Sequence, residues 1–288
     1  QKCYIYNHKF NLIIMFILSF LFFLTAILYS SVGFGGGSTY LALLLIWGIP
    51  YQIFPVIALC CNIIVVSGNC FNYIRAGSIN FKLLTPYLIS SIPLAFIGGT
   101  LSISKSFFEI LLFLVLIVAG ILLLFNFRSF DDTGQVHRKI SKIFAFLIGS
   151  SIGFISGIVG IGGGIFLSPI LLLIRAGKAK DIATAASLFI LINSVAGIFG
   201  QFTKHTIFYE IQNYWLLFLS VLIGGQIGNF LNIKFFPARV LVLITSALVI
   251  RLSFPVGLIG AGSIFFSESI FLTAGPFFLF FEFVSFFG

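Results

Sequence analysis

Two glycine clusters are the residues best placed to do chemistry. Gly33-Phe34-Gly35-Gly36-Gly37 recurs as Gly160-Ile161-Gly162-Gly163-Gly164, each after a long apolar run and before a shorter one, Tyr40–Trp47 and Ile165–Ile174. A glycine break in an apolar helix leaves backbone N–H and C=O groups that must be buried in protein or line a cavity. A half-helix starting just after Gly37 or Gly164 would turn its free N–H groups and positive dipole end toward that cavity. Such a terminus holds an anion without any charged side chain. Polar side chains near the breaks extend the set, giving as substrate-binding candidates Gly33, Gly35, Gly36, Gly37, Ser38, Asn62, Gly160, Gly162, Gly163, Gly164, Ser187 and Asn193. Thr39 joins them, and Asn72, Gln201 and Gln226 are weaker candidates. The competing explanation is close helix packing, for which small residues serve equally well. It suits the isolated pair Gly98-Gly99 better than the duplicated clusters. A buried Asn could equally hydrogen-bond a neighbouring helix or cap the broken backbone.

The elements that carry these residues are transmembrane helices. Of 288 residues 60% are hydrophobic and only 8% charged, where a soluble domain needs roughly 25% charged residues. No Asp, Glu, Lys or Arg occurs between Lys9 and Arg75, far beyond the ~20 apolar residues that cross a bilayer. Similar runs lie between Lys82 and Lys105, Glu109 and Arg128, Lys142 and Arg175, Asp181 and Lys204, and Glu210 and Lys234. They are apolar all round rather than alternating, which selects helices over a barrel. The apolar run after Lys9 is too long for a signal peptide and continues into further spans, so it is read as the first transmembrane helix. The expected class is therefore an all-α polytopic bundle of about eight spans in two related halves. The formal net charge of +9 resides in short loops, as it does in membrane proteins, and forms no nucleic-acid patch.

Further landmarks repeat in the same order: Asn62 and Asn193 mid-helix, Gly68 and Gly197 beyond them, then Gly98-Gly99 and Gly224-Gly225. The expected organisation is a first repeat over 1–127, a joining loop over 128–142, a second repeat over 143–254 and a Phe-rich extension over 255–288. The spans fall at about 11–47, 53–72, 83–102 and 108–127, then 141–174, 182–203, 213–232 and 237–253, the first of each half broken at its glycines. From Ile143 to Ile174 an unbroken helix would be about 48 Å long at ~1.5 Å per residue, against a hydrocarbon core of ~30 Å. Each interior glycine also costs about 1 kcal/mol, so the break belongs at the cluster. If the break adds no crossing the halves are parallel; if it adds one they are inverted. The extension is a ninth span, an interfacial tail or a sequence irregularity.

Enzyme signatures are missing. There is no HExxH or GxSxG, the glycine clusters lack the spacing of a dinucleotide fingerprint, and no GxxxxGK[ST] loop is present. His8, His137 and His205 fall outside the expected spans, and Cys3, Cys60, Cys61 and Cys70 have no metal-ligand spacing. No cofactor or metal is expected. The expected partners are a small anionic substrate and the lipid bilayer, with the oligomeric state undetermined. With no carboxylate mid-span in four of the long elements, a cation antiporter is disfavoured.

The chain resembles the sulfite exporter TauE/SafE family of membrane permeases. The matching residues are Ser31-Val32-Gly33-Phe34-Gly35-Gly36-Gly37 and Gly157-Ile158-Val159-Gly160-Ile161-Gly162-Gly163-Gly164, with Ser168-Pro169, Ala186-Ser187-Leu188, Arg75-Ala76-Gly77 and Gly224-Gly225. The resemblance covers about residues 11–254. It implies a duplicated, usually eight-span permease moving sulfite, sulfonates or related sulfur-containing anions across a bacterial inner membrane. Ala186 stands where a threonine often precedes the serine, and the Phe-rich extension departs from the family pattern. A non-transporting scaffold, or a sulfur-transfer protein using Cys60, Cys61 or Cys70, is the alternative.

Overall fold

A computed structural model describes residues 2–75, 77, 81–126, 141–177, 179–204, 211–232 and 238–265. Its regular elements are helices: α1 (Lys2–Val32), α2 (Gly37–Ile46), α3 (Phe54–Arg75), α4 (Phe81–Thr100), α5 (Lys105–Asn126), α6 (Lys142–Val159), α7 (Gly164–Leu173), α8 (Ala179–Gln201), α9 (Trp215–Asn232) and α10 (Ala238–Phe265). Seven helices of the described residues are long and apolar enough to span a bilayer, and shorter apolar stretches lie at Gly37–Ile46, Gly164–Leu173 and Leu243–Ile259. Both long first elements break at their glycine clusters. The 10-residue α2 and α7 are each about 15 Å long at ~1.5 Å per residue, half the depth of a membrane.

The glycines on the helix surfaces reveal how the helices run. On α6, Gly149, Gly153 and Gly157 lie against Tyr87, Ser91 and Ala95 of α4, rising together, so α4 and α6 are parallel. Gly224 and Gly228 of α9 meet Phe23 and Ile27 of α1 in the same way. Gly225 faces Val65 and Gly68 faces Asn229, so α9 also parallels α3; Gly177 meets Leu83 and Gly200 meets Phe96, so α8 parallels α4. Gly120 against Ile250 and Gly257 against Phe113 make α5 and α10 antiparallel. Every helix of the first half thus runs opposite to its counterpart in the second. The halves are inverted, because each short half-helix returns the chain toward the side on which its half began.

The halves also interlock. The first helix of each packs on the fourth of the other, α1 on α9 and α6 on α4, while α3 and α8 cross at the centre. These are backbone-to-backbone approaches: a side chain at Gly157 would collide with the Ala95 carbonyl. In lipid, where apolar burial contributes little to helix association, such close packing is the main attraction. Outward positions carry Phe16, Phe20, Phe71, Ile89, Phe125, Phe144 and Phe199, which lipid covers. α3 and α8 are the two most enclosed spans.

Two details differ from the sequence expectation. His8 lies within α1, which begins at Lys2. The last helix continues through Pro255 to Phe265, past the expected change of character at 255. The expected joining loop lies, but for residues 141 and 142, outside the described residues, as do His137, His205 and residues 266–288.

Candidate functional site

The two half-helices start from one place. α2 begins after Gly36 and α7 after Gly163, both left-handed, with φ of 83° and 79°, and neither start is capped by a side chain. Only glycine takes that conformation without strain. The first turn of α2 closes on Gly36 O from Thr39 N (3.0 Å) and Tyr40 N (3.1 Å); that of α7 closes on Gly163 O from Phe166 N (3.1 Å) and Leu167 N (3.2 Å). The N–H groups of Gly37, Ser38, Gly164 and Ile165 therefore have no partner within their helices. Each start behaves as roughly half a positive charge.

Asn62 of α3 lies between the two breaks. Its Nδ2 donates to Ile161 O of the second cluster at 2.9 Å, while its side chain lies over Gly35 and Gly37 of the first and against Gly162 of the second. That bond fixes the amide orientation and leaves Oδ1 buried without a partner. From α8, Ser187 Oγ donates to Gly33 O at 2.5 Å, a bond shared with Ala183 O at 3.0 Å. Each central helix thus braces the opposite half's break. All twelve sequence candidates are buried, and the breaks come together with Asn62, Ser187 and Ser38. The Ser38 Oγ lies 3.5 Å from the Tyr29 hydroxyl, which also meets Thr39 Oγ1 at 2.7 Å.

Asn193 does not mirror Asn62. Its Nδ2 is taken by Phe189 O of its own helix at 2.9 Å, and the α8 residues that face Gly162 and Gly164 are Ile190 and Ser194. One residue of slip along a helix is a 100° rotation, enough to replace one by the other. The sequence reading also passed over Tyr40, whose ring covers Gly36, Tyr73, whose hydroxyl meets Gly33, and Ser194. Tyr40 stacks on Phe22 with centroids 4.6 Å apart. The oxygens of Tyr40, Ser194 and Asn193 Oδ1 are, like Asn62 Oδ1, buried without hydrogen-bond partners. Among the described residues the only fully buried charged side chain is Glu109. It follows Phe108, whose ring meets Tyr51 and Phe54 at the start of α3. The thiols of Cys60, Cys61 and Cys70 are free and lie on α3.

Such a centre, with two positive helix ends, neutral hydroxyls and amides and, among the described residues, no fixed cation, can hold a small anion. Discontinuous helices at matching positions of inverted repeats are how many secondary transporters build a substrate site. Comparison with known proteins agrees: the sulfite exporter TauE/SafE family profile matches residues 18–275. The chain belongs to the sulfite exporter TauE/SafE family. Among its relatives is a probable membrane transporter protein of Sinorhizobium fredii, 29% identical over 81% of this chain and 94% of the relative. Others are probable membrane transporter proteins of Methanocaldococcus jannaschii, 23% identical over 78% of this chain and 89% of the relative, and of Bacillus subtilis, 24% identical over 77% and 89%. No solved structure matches significantly. This TauE/SafE protein is a multi-pass membrane transporter, not an enzyme, and works in contact with the bilayer and a small substrate.

Proposed function

We propose that the protein is a secondary permease for small oxyanions, with sulfite and organosulfonates as its substrates, and that it acts in a cell's inner membrane. The observation that carries this reading is the meeting of two uncapped half-helix starts around Asn62. Among the described residues no carboxylate lies against the breaks, as an acidic cation site would need, and a doubly broken centre has little purpose in a scaffold. The glycines would supply N–H groups to the anion oxygens. Ser38, Ser187 and Asn193 complete the twelve-residue set, together with Asn62, which ties both breaks to one position. We take the units of this device to be the repeats at 1–127 and 143–254, with 128–142 joining them and 255–288 as an added C-terminal segment. Transport would proceed by alternating access around the centre formed by the two glycine breaks, so that it opens to one face at a time.

Purified protein in liposomes tests the reading. Uptake of radiolabelled sulfite above protein-free vesicles, inhibited by methanesulfonate but not by acetate, is the expected result. Wild-type protein that moves neither sulfite, sulfate nor a sulfonate would overturn it.

A further inference from the structure

We propose that Asn69 is a second substrate-contacting residue, holding the anion on its way between the central breaks and the face of the bundle where α3 ends. Asn69 is 1% exposed, and neither its Oδ1 nor its Nδ2 has a hydrogen-bond partner. On a helix of ~3.6 residues per turn, residues 62, 66, 69 and 73 fall within about 60° of one another. Asn62 at one end of that stripe touches Gly35 and Gly37, and Tyr73 at the other reaches Gly33. Asn69 lies between them on the same stripe, about 10 Å along α3 from Asn62. A buried amide with both ends unmet is unfavourable until a polar partner meets it, and a visiting ligand would supply one.

The inverted half shows what such a position does when it is structural. Ser194 faces Gly162 as Asn62 does, and seven residues beyond Ser194 stands Gln201, as Asn69 stands seven beyond Asn62. Gln201 is engaged: its Nε2 donates to Gly157 O at 3.2 Å, and its Oε1 accepts from Lys204 Nζ at 3.1 Å. Nor is Asn69 needed to join α3 to α9, since Asn72 Nδ2 does so by donating to Asn229 Oδ1 at 2.9 Å. The ligand that fits Asn69 is a small oxyanion, whose oxygens take the Nδ2 protons while Oδ1 receives a proton of the ligand or its hydration water. This inference rests on the transport reading above.

The test is sulfite uptake into liposomes by wild type, Asn69→Leu and Asn69→Asp, with the melting temperature of each ligand-free protein. Leu is isosteric and has no polar atoms to leave unmet. Asn69→Leu is therefore expected to melt no lower than wild type and to raise KM about tenfold or more. Asn69→Asp places a negative charge in the anion's path. Its uptake relative to wild type is expected to fall at pH 8 and recover toward pH 5.5 as the carboxyl takes a proton, a response that a packing role would not produce. An Asn69→Leu protein with wild-type KM overturns the proposal. If that variant does not insert, Asn69→Asp with wild-type KM at pH 8 does so. Failure of the wild type to transport any of the probe anions is a different result and falls on the transport reading.

Discussion

The ends of α3 and α8 occupy equivalent places in the two inverted halves, yet they finish differently. At the end of α8 a polar chain is closed: Lys204 Nζ donates to Leu101 O at 2.6 Å and to Gln201 Oε1 at 3.1 Å, and Gln201 reaches Gly157 O. That chain ties α4, α6 and α8 together just outside the second break. At the end of α3 the corresponding chain is open. Asn72 bonds α9, but Asn69 bonds nothing. The order and direction of the helices repeat in inverted form, whereas the polar groups at the ends of α3 and α8 do not match. A permease needs the first property for two related states and the second to prefer one of them.

Several perturbations would break or sharpen this contrast. At the shared centre it should vanish: Gly36→Leu and Gly163→Leu both put a side chain into a left-handed position, against Tyr40 and against Ile152 and Phe189 respectively. Each should cut sulfite flux at least 100-fold with protein still in the membrane, and unequal losses would show that one break dominates. The interlocking contacts should also respond alike. Gly157→Leu and Gly228→Leu each force a side chain into the backbone of a partner helix, destabilising by about 3 kcal/mol or more, measurable by thermal melting in detergent.

At the exits the two halves should part. In a cysteine-free background with a single cysteine at Ser156, which is buried beside Gly157, Lys204→Met with Gln201→Leu should raise labelling by an impermeant thiol reagent several-fold. No change would mean that the chain at the end of α8 does not close that exit. The mildest effect is in pH. Burial holds the Lys204 ammonium below the ordinary lysine value of 10.5. In the window from that lowered pKa up to 10.5 the native state binds fewer protons than the unfolded chain, so stability rises with pH. The melting temperature of wild type should increase there, and that of Lys204→Met should not.

Much of this architecture was legible in the sequence. The misfit between a long apolar run and the bilayer located both helix breaks, and the structure holds Gly33, Gly36, Gly160, Gly162 and Gly163 of the clusters at positive φ. The direction of the halves was not legible, because it depends on whether ten residues after a break turn back, which composition does not record. Nor was the partner of each polar side chain. Asn193 matched Asn62 in order along the chain, but Ser194 takes the place facing the break, and Gln201 and Lys204 acquire meaning only through carbonyls of α6 and α4. Asn69 was within reach, since its spacing of seven from Asn62 places both on one helical face.

The central claim is that two glycine breaks form one anion site rather than two. Calorimetric titration of sulfite into purified protein, compared with Gly36→Leu and Gly163→Leu, tests it most directly. The account predicts that binding to the central site in wild type disappears entirely in either variant. Two equivalent sites, each variant losing only its own half of the binding, would contradict it.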